Sequence, residues 1–441
     1  MAKNNRQEKL PIHKMTEIKP FPGIVYNSKQ LRQPSKLICP PYDIITPDQA
    51  IQYRKQSNYN MVHLTLPQAD SGQNRHKKSS RCFKDWLNKG IMLQDREPAI
   101  YFYQQEYRIN KRKLKRLGFI ACLRLKNDSC VYGHEHTHIE PKEDRFKLLV
   151  KVQANLEPIF VVFSDPSSFI QKTFKRYARS NKPLMRFRDQ EKNINRLWAL
   201  SAPDILEKLK KEMGNKVLFI ADGHHRYEVS LGYQELWRNK LKQRVAPINR
   251  RRKGLKDRDF NYIMVYFCPL ESQGLIIRPV HRLVKGVTHI PFEDFKKAFN
   301  IKITNRADFF ATMESKALKQ RIVGMYCNKK FHILTLKNNK LLAKIDKDYR
   351  CLDISLLNQV ILKGLLKIDP NNKERVLFNA NGRDLIREVD ADNKALAFFL
   401  RPAVMGDIMY LAKAGKKLPP KTTYFYPKIP SGLVIYKINN K

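Results

Sequence analysis

The residues of this sequence best suited to chemistry follow a short apolar run at residues 217–221. That run predicts a buried strand, and apolar residues at helical spacing predict a helix over residues 224–238. Where the strand passes into the helix, the chain carries Asp222, Gly223, His224, His225 and Arg226. A strand that enters a helix through a glycine turn directs the free N–H groups of the first helical turn at one point, where the helix dipole favours an anion.

This turn predicts phosphoryl chemistry. Our candidates for binding phosphate or nucleotide are Gly223, His224, His225 and Arg226. Glycine permits close backbone approach, and a guanidinium binds phosphate in a bidentate manner. Because Arg226 lies in the first helical turn, we expect solvent to reach its side chain. Asp222 is the candidate catalytic residue, which accepts a hydroxyl proton or holds Mg²⁺. The alternative is an aspartate that only caps the helix.

A second polar block precedes another predicted helix. Residues 134–138 match the pattern His-Glu-x-x-His of zinc proteases, but that pattern needs a continuous helix, and Gly133 and Pro141 flank it. We therefore expect a loop that leads into a catalytic cleft, or else a solvated loop before a capped helix. The candidates here are His134 and Glu135 for catalysis, and Lys142 and Arg145 for the substrate pocket.

Two further blocks carry polar side chains on stiff or extended segments. Pro40 and Pro41 predict a rigid turn, which presents the pocket candidates Tyr42 and Asp43 or is only a structural corner. Residues 421–428 place Lys421 and Thr422, also pocket candidates, in a segment that binds an anion or is an ordinary strand. We expect residues 40–43, 134–135 and 222–226 to surround one pocket.

The elements that must position these residues predict a mixed α/β (α+β) protein. Strands at residues 99–107 and 118–125 form a hairpin joined by a basic turn, and residues 187–211 are mostly helical. Residues 1–15 are a disordered leader, and the pattern changes near residue 288. We therefore expect a catalytic or nucleotide-binding domain at residues 16–287 and a C-terminal α+β domain at residues 288–441.

Composition restricts the partners. The net charge of +44, from 85 Lys and Arg against 41 Asp and Glu, attracts nucleic acid or nucleotides, or reflects drift of surface positions to lysine. Residues 240–258 are a basic linker that contacts nucleic acid or is a solvated loop. No apolar stretch is long enough to span a membrane, no secretory signal is visible, and the odd number of cysteines lacks CxxC spacing, so we expect a cytoplasmic protein.

These blocks, in this order, resemble the family of proteins called domain of unknown function 1015. The matching segments lie at residues 18–22, 39–45, 59–64, 134–135, 141–145, 220–228, 281–284 and 421–428, and the resemblance extends from about residue 16 to residue 437. The combination of these segments in this order is specific for the family, although each segment alone has low specificity. The family implies no established activity.

The block at residues 222–226 also resembles the phosphate-binding turn of the ParB/sulfiredoxin superfamily, which includes chromosome-partitioning CTPases and free-serine kinases. This resemblance implies a ParB/sulfiredoxin-like nucleotide-binding core, with nucleotide phosphates at Gly223–Arg226 and a catalytic role for Asp222. The block lacks a cysteine, so a sulfinic reductase is not expected, and His136 stands where the family has a basic residue.

The leading prediction is a nucleotide-dependent phosphotransferase that uses ATP or ADP with Mg²⁺ on a small hydroxyl compound such as free serine. One alternative is a ParB-like, DNA-associated protein with a regulatory nucleotide pocket. The other is a metal-dependent hydrolase that uses His134, Glu135 and the two histidines at residues 224–225.

Overall fold

The computed structural model describes residues 15–68, 74–109, 112–126, 130–135, 139–244, 257–315 and 320–439. These residues form two compact units. The first unit contains the described residues up to Gly133, residues 139–275 and residues 427–439, and the second contains His134, Glu135 and residues 276–426. No helix of the described residues is long and apolar enough to cross a bilayer.

The first unit alternates strands and helices. Up to residue 275 its strands are β1 (Ile18–Lys19), β2 (Ile24–Tyr26), β3 (Met92–Gln94), β4 (Ile100–Ile109), β5 (Arg112–Arg124), β6 (Val131–Tyr132), β7 (Ala154–Asn155), β8 (Ile159–Phe163), β9 (Met185–Arg188), β10 (Ile194–Leu200), β11 (Leu218–Asp222) and β12 (Tyr262–Pro269). Its helices are α1 (Pro47–Gln56), α2 (Val62–Thr65), α3 (Arg75–Asn88), α4 (Ile139–Val152), α5 (Phe169–Ser180), α6 (Pro203–Met213) and α7 (His224–Arg244), with 3-10 helices at Pro34–Lys36, Tyr42–Ile44 and Asp259–Asn261.

A large sheet organises the first unit. Its strand order is β6-β11-β8-β12-β5-β4-β10-β9, and β1 pairs with β5. Strands β8 and β12 run parallel and are buried along their whole length, because both faces of the sheet are covered. One face packs on α5 and α6 through an apolar cluster that includes Phe102, Phe119 and Val161. Side chains alternate along a strand, so Phe160 and Tyr266 point from the opposite face, where the charged residues lie.

The second unit has its own sheet and core. Its strands are β13 (Ile276–Arg278), β14 (His281–Val284), β15 (Phe299–Thr304), β16 (Ile322–Cys327), β17 (Lys330–Leu336), β18 (Val376–Asn379), β19 (Leu396–Phe399) and β20 (Tyr424–Tyr426). Its helices are α8 (Phe292–Ala298), α9 (Arg306–Glu314), α10 (Asp353–Leu356), α11 (Gly382–Ala391) and α12 (Met405–Lys413), with a π-helix at Leu357–Leu365 and 3-10 helices at Asn339–Lys344 and Lys347–Tyr349. The main sheet has the order β15-β17-β16-β19-β14-β18, and β13 pairs with β20.

The chain returns to the first unit at its C-terminal end. Strand β21 (Tyr436–Lys437) pairs with β7, and Ile435 forms a bridge with Ile24. This return places residues 427–431 against the first unit, more than two hundred residues after strand β11.

The mixed α+β class predicted from the sequence is confirmed by these elements. The ParB/sulfiredoxin-like core stays a prediction. So does the division into functional domains at residues 287 and 288, whereas the compact units divide between residues 275 and 276. Residues 1–14 of the predicted leader, and residues 245–256 of the basic linker, lie outside the described residues.

Two local predictions were wrong. The basic segment at residues 108–116 was predicted as a turn, but its described residues extend β4 and β5, whose long pairing begins at Ile109 and Arg112. Residues 187–211 were predicted to be mostly helical, but they contain the end of β9, all of β10 and, from Pro203, the helix α6. In β10 the polar side chains have partners on β4, as in the hydrogen bond of 2.6 Å from the Tyr103 hydroxyl to Asn195 Oδ1.

Candidate functional site

The turn between β11 and α7 has the predicted geometry. Strand β11 ends at Asp222, Gly223 forms the turn with a φ of +89°, and α7 begins at His224. A β-carbon at residue 223 would lie 2.9 Å from Ile159 Cγ2 and 3.1 Å from Arg226 Cζ, so a larger residue does not fit without movement. Glycine is therefore required here both for its backbone conformation and for the close approach of Arg226.

Asp222 lies between two cationic side chains. Its Oδ2 accepts a hydrogen bond of 2.7 Å from Arg226 Nη2, and its Oδ1 accepts one from Lys428 Nζ. All three side chains are largely buried, with 13% exposure for Asp222 and Arg226 and 11% for Lys428. Burial alone would raise the pKa of Asp222, but the charges of Lys428 and Arg226 hold it well below its usual range. The carboxylate is therefore ionised at neutral pH.

Arg226 also contacts a second carboxylate. Its Nη1 donates a hydrogen bond of 2.5 Å to the carbonyl of Pro158 and lies 3.9 Å from Glu157 Oε2. Burial lowers the pKa of the guanidinium, but the carboxylates of Glu157, Asp222 and Asp43 outweigh it and raise the pKa. The expectation that solvent reaches Arg226 freely was wrong, because residues 157–158 and Asp222 enclose the first turn of α7.

The rigid turn at residues 40–43 joins this cluster through Glu157. The backbone N–H of Tyr42 donates a hydrogen bond of 3.2 Å to Glu157 Oε1, and the hydroxyl of Ser431 donates one of 2.5 Å to the same oxygen. Asp43 is exposed, yet close enough to Arg226 for its charge to raise the guanidinium pKa. Of the predicted pocket residues, the structure thus brings Tyr42 and Asp43 to the Asp222–Arg226 turn.

Helix α4 supplies the next layer of charge. The guanidinium of Arg145 lies 4.2 Å from the ring centroid of Tyr42 and donates to the Thr65 carbonyl at 2.6 Å and to Asp144 Oδ2 at 3.0 Å. Lys142 Nζ lies 3.0 Å from Glu228 Oε2 on α7. Arg145 therefore lies at the edge of the cluster, whereas Lys142 links α4 to α7 farther along the helix.

A small cavity adjoins the cluster inside the first unit. Its volume is about 60 Å³, and its polar lining includes Arg145, Glu157, Arg226 and Ser230. The remaining lining is mostly aliphatic, from residues such as Leu148 and Val229. The cavity is large enough for a few water-sized groups.

The two histidines of the turn differ in burial. His224 is only 5% exposed, and its charge also lowers the pKa of Asp222. His225 is half-buried on the first turn of α7. His224 therefore contributes to the ionisation of Asp222, and the phosphate-binding roles given to both histidines stay predictions.

The block at His134 and Glu135 lies in the second unit, with the predicted C-terminal block. Glu135 forms a bridge with Leu418, and its Oε1 accepts a hydrogen bond of 3.4 Å from the backbone N–H of Lys421. His134 Nε2 lies 3.2 Å from Thr423 Oγ1. Neither residue is in a helix, because α4 begins only at residue 139, and His136 and His138 lie outside the described residues.

Lys421 has an unusual backbone in this second cluster. Its φ is +54°, and its carbonyl accepts a hydrogen bond of 3.2 Å from the buried Arg282. The Thr422 hydroxyl donates to the Pro419 carbonyl at 2.6 Å. The left-handed conformation of Lys421 is thus held by side chains from other segments of the unit. The expected common pocket with residues 222–226 stays a prediction for this block.

Three residues of the charged cluster were missed by the sequence reasoning, namely Glu157, Lys428 and Ser431. Lys428 ends the segment at residues 421–428, in which only Lys421 and Thr422 were predicted to line the pocket. Glu157 follows β7 and precedes the buried β8, and a carboxylate immediately before an apolar strand is a usable signal.

The donor set of the cluster limits what cation it can hold. Among the described residues no group of three or more His, Cys, Asp or Glu side chains is placed to hold a metal ion. Asp222 and Glu157 offer two carboxylates, and Mg²⁺ is commonly held by one or two carboxylates together with substrate phosphates. Both Asp222 oxygens, however, already accept hydrogen bonds from Arg226 and Lys428, so the use of Mg²⁺ stays a prediction.

A family model described as "Protein of unknown function (DUF1015)" matches residues 18–355. No curated protein matches the chain. Among solved structures the chain is similar to SbnI with a C-terminal truncation from Staphylococcus aureus, at 10% identity and a TM-score of 0.32, over 68% of this chain and 82% of that one. It is also similar to a free serine kinase variant in complex with ADP, at 14% identity and a TM-score of 0.34, over 70% and 89%.

A conserved hypothetical protein from Pyrococcus furiosus is similar at 12% identity and a TM-score of 0.31, over 69% of this chain and 91% of that one.

Proposed function

The chain belongs to the DUF1015 family, whose description names no activity, and we propose from its own site that it is a nucleotide-dependent phosphotransferase acting on a small hydroxyl compound. One observation carries the proposal. Asp222 is held ionised between Arg226 and Lys428 at the point where a strand passes through a glycine turn into a long helix. A carboxylate beside fixed cations is what transfer of a phosphoryl group to a hydroxyl needs.

The cations of the cluster supply phosphate contacts. Hydrogen bonds to Pro158 and Asp222 use two of the five N–H groups of Arg226, counted over the described residues, which leaves donors for phosphate oxygens. Lys428 adds a second positive charge from the opposite side of Asp222. The N-terminal end of α7 adds backbone N–H groups and the positive end of a helix dipole.

Asp222 orients the acceptor hydroxyl rather than acting as a strong base. Its low pKa makes it a weak proton acceptor, but the acceptor oxygen loses its proton late in a loose phosphoryl-transfer transition state. In the step, the hydroxyl oxygen forms a bond to the terminal phosphorus, the bond from that phosphorus to the bridging oxygen breaks, and the shortened nucleotide leaves. The hydroxyl proton passes to Asp222 and then to solvent.

Two groups complete the proposal. Mg²⁺ that arrives with the nucleotide would add to the charge neutralisation of the phosphates. Free serine stays the first acceptor to test, with ATP and ADP as the first donors. The catalytic roles of Glu135 and His134 and the pocket roles of Lys421 and Thr422 stay predictions.

A thermal-shift screen with ATP, ADP and CTP, each with and without Mg²⁺, tests nucleotide binding. A ligand present at about 100 times its Kd stabilises the folded protein by about 2.7 kcal/mol, a readily measured shift. Transfer is then followed with a donor labelled in its terminal phosphate and serine as acceptor. Asp222→Asn should lower transfer at least about a hundredfold, whereas Asp85→Asn, in a surface ion pair with Lys89, should not change it. Equal rates in Asp222→Asn and wild type would exclude the assigned role.

A second candidate is a DNA-associated protein with a regulatory nucleotide pocket. The net charge of +44 favours it, because neutralising phosphates of a nucleic acid gives affinity without sequence-specific contacts. Both candidates use the same nucleotide site, so DNA binding separates them and nucleotide binding alone does not.

A further inference from the structure

Lys428 reaches Asp222 from a segment far away in the sequence, so something must hold that segment in place. The C-terminal strap, residues 427–431, has the sequence Pro-Lys-Ile-Pro-Ser, whose two prolines stiffen the backbone but remove two N–H donors. It belongs to no strand or helix, because β20 ends at residue 426 and β21 begins at residue 436. Its position therefore depends on individual contacts with the first unit, most of them from side chains.

Two consecutive carbonyls of the strap bind one cross-strand pair of the large sheet. Arg116 on β5 and Gln105 on β4 are directly opposite each other. Arg116 Nη2 donates to the carbonyl of Pro427 and to Gln105 Oε1, and Gln105 Nε2 donates to the carbonyl of Lys428 at 3.1 Å. Each carbonyl thus has its own donor, and the two donors are bonded to each other.

Burying the Arg116 guanidinium in this way costs free energy, because a charged group is removed from water. Arg116 is fully buried, and among the described residues no carboxylate lies within ion-pair distance of it. Its guanidinium lies 4.9 Å from the ring centroid of Phe160 and 5.8 Å from that of Tyr266, and its Nε and Nη1 find no hydrogen-bond partner within the part of the chain that the structure describes. Aromatic faces compensate a buried cation only in part. An aliphatic residue would fill the space with less cost but could not hold a carbonyl.

The other end of the strap is tied to the same cluster. The N–H of Ser431 donates to the Cys39 carbonyl at 2.8 Å, and its hydroxyl donates to Glu157 Oε1. These two sets of contacts fix the backbone of the strap around Lys428, whose side chain extends to Asp222. Phe160, beneath the Arg116 guanidinium, is the cross-strand neighbour of Asp222.

We propose that Arg116 and Gln105 are positioning residues, which act through the backbone of the strap to hold Lys428 Nζ against Asp222. The structural part of this inference is independent of the reaction, and only its consequence for nucleotide affinity rests on the proposed function. Neither residue needs to touch a ligand.

Hydrogen exchange tests the structural part without any ligand. In Arg116→Met and Gln105→Leu, the amides of Lys428, Ile429 and Ser431 should exchange at least about tenfold faster than in wild type, while those of β11 keep their rates. Arg124→Met is the matched control, because Arg124 lies on the same strand and pairs with Glu17 at 2.7 Å, away from the strap. Unchanged strap exchange in both variants, or equal acceleration in the control, would overturn the proposal.

Calorimetric titration with Mg²⁺-ATP tests the consequence. Arg116→Met should lower affinity about tenfold in the wild-type background but less than about twofold in the Lys428→Met background, because its effect passes through Lys428. Arg116→Lys, which keeps one donor for the Pro427 carbonyl, should recover part of the loss. Additive losses would instead mean that Arg116 acts on the ligand directly or only through general stability, and would overturn the positioning role.

The two parts fail separately. If wild type binds no nucleotide, the proposed function fails, while the exchange experiment still decides whether Arg116 and Gln105 hold the strap. If wild type binds nucleotide but strap exchange is unchanged in both variants, the positioning proposal fails and the proposed function stands.

Discussion

Replacing Gly223 by alanine perturbs the charged cluster through the backbone alone. The φ of +89° is unfavourable for alanine by roughly 1–2 kcal/mol. The added β-carbon would lie 2.9 Å from Ile159 Cγ2 and 3.1 Å from Arg226 Cζ and Nε, so the side chains of Ile159 and Arg226 must shift, which disturbs the pair of Arg226 with Asp222. Disturbing that buried pair adds roughly 1–2 kcal/mol, a fraction of the cost of losing one partner. We expect a total loss of about 2–4 kcal/mol in the free energy of unfolding.

Gly90→Ala is the matched control in the same unit. Gly90 also has a positive φ, of +67°, but a β-carbon there would have its nearest neighbour, Gln30 Nε2, at 3.6 Å. Urea denaturation should therefore show a loss of about 1–2 kcal/mol for Gly90→Ala, and calorimetry should show that only Gly223→Ala weakens nucleotide binding. Equal stability losses in the two variants would refute the argument that residue 223 sets the position of Arg226.

Three further outcomes are expected. Arg226→Met should lower the free energy of unfolding by about 3 kcal/mol, measured by urea denaturation, because it leaves Asp222 and Glu157 with less positive charge in a buried site. A loss below about 0.5 kcal/mol is typical of a surface residue and would contradict this expectation. Burial would raise the pKa of Asp144, but Arg145, His76 and Arg75 hold it at about 2, below the usual 3.8. The ionised form of Asp144 therefore contributes about 2 kcal/mol to the free energy of unfolding above pH ~4, and this contribution is lost as the pH falls towards ~2. Urea titrations of wild type and Asp144→Asn should thus differ most at neutral pH and converge at acid pH, and a constant difference would contradict this. If the chain is DNA-associated, the logarithm of its DNA affinity should fall steeply and linearly with the logarithm of salt concentration, and salt-independent binding would remove that candidate.

The sequence predicted the local geometry of the central turn because its signals are local. An apolar run, a glycine and helical periodicity lie within about twenty residues, so the strand, the turn at Gly223 and the start of the helix near His224 followed from neighbours along the chain. The turn at residues 40–43 was predicted for the same reason, since each proline fixes its own φ.

The partners of that turn could not be predicted because strand pairing sets them. Glu157 reaches Arg226 through the antiparallel pairing of β8 with β11, and Lys428 reaches Asp222 because the chain end returns to the first unit. Lys428 carries no local signal for such a contact, and the apolar strand that follows Glu157 marks this carboxylate without indicating its partner. The burial of Arg226 follows from these same long-range partners, so the first turn of α7 read alone suggested an exposed side chain.

The polar interior of the sheet misled the prediction for residues 187–211. Strand β10 carries Asn195 and Arg196, which disrupt the apolar alternation expected of a buried strand. In the structure Arg196 Nη1 bonds Glu106 on β4, and Asn195 accepts from Tyr103. Polar pairs across neighbouring strands can be recognised only when the register is known.

Calorimetric titration of the wild-type protein and Lys428→Met with Mg²⁺-ATP and Mg²⁺-ADP tests the central claim most directly. Lys89→Met serves as control, because Lys89 is 59% exposed and pairs with Asp85 on the surface of the same unit. The proposal predicts binding by wild type and the control alike, and a loss of at least about 30-fold in Lys428→Met, as expected when a charged donor to a buried phosphate is removed. Binding of equal strength in all three proteins, or no binding by wild type, would contradict it.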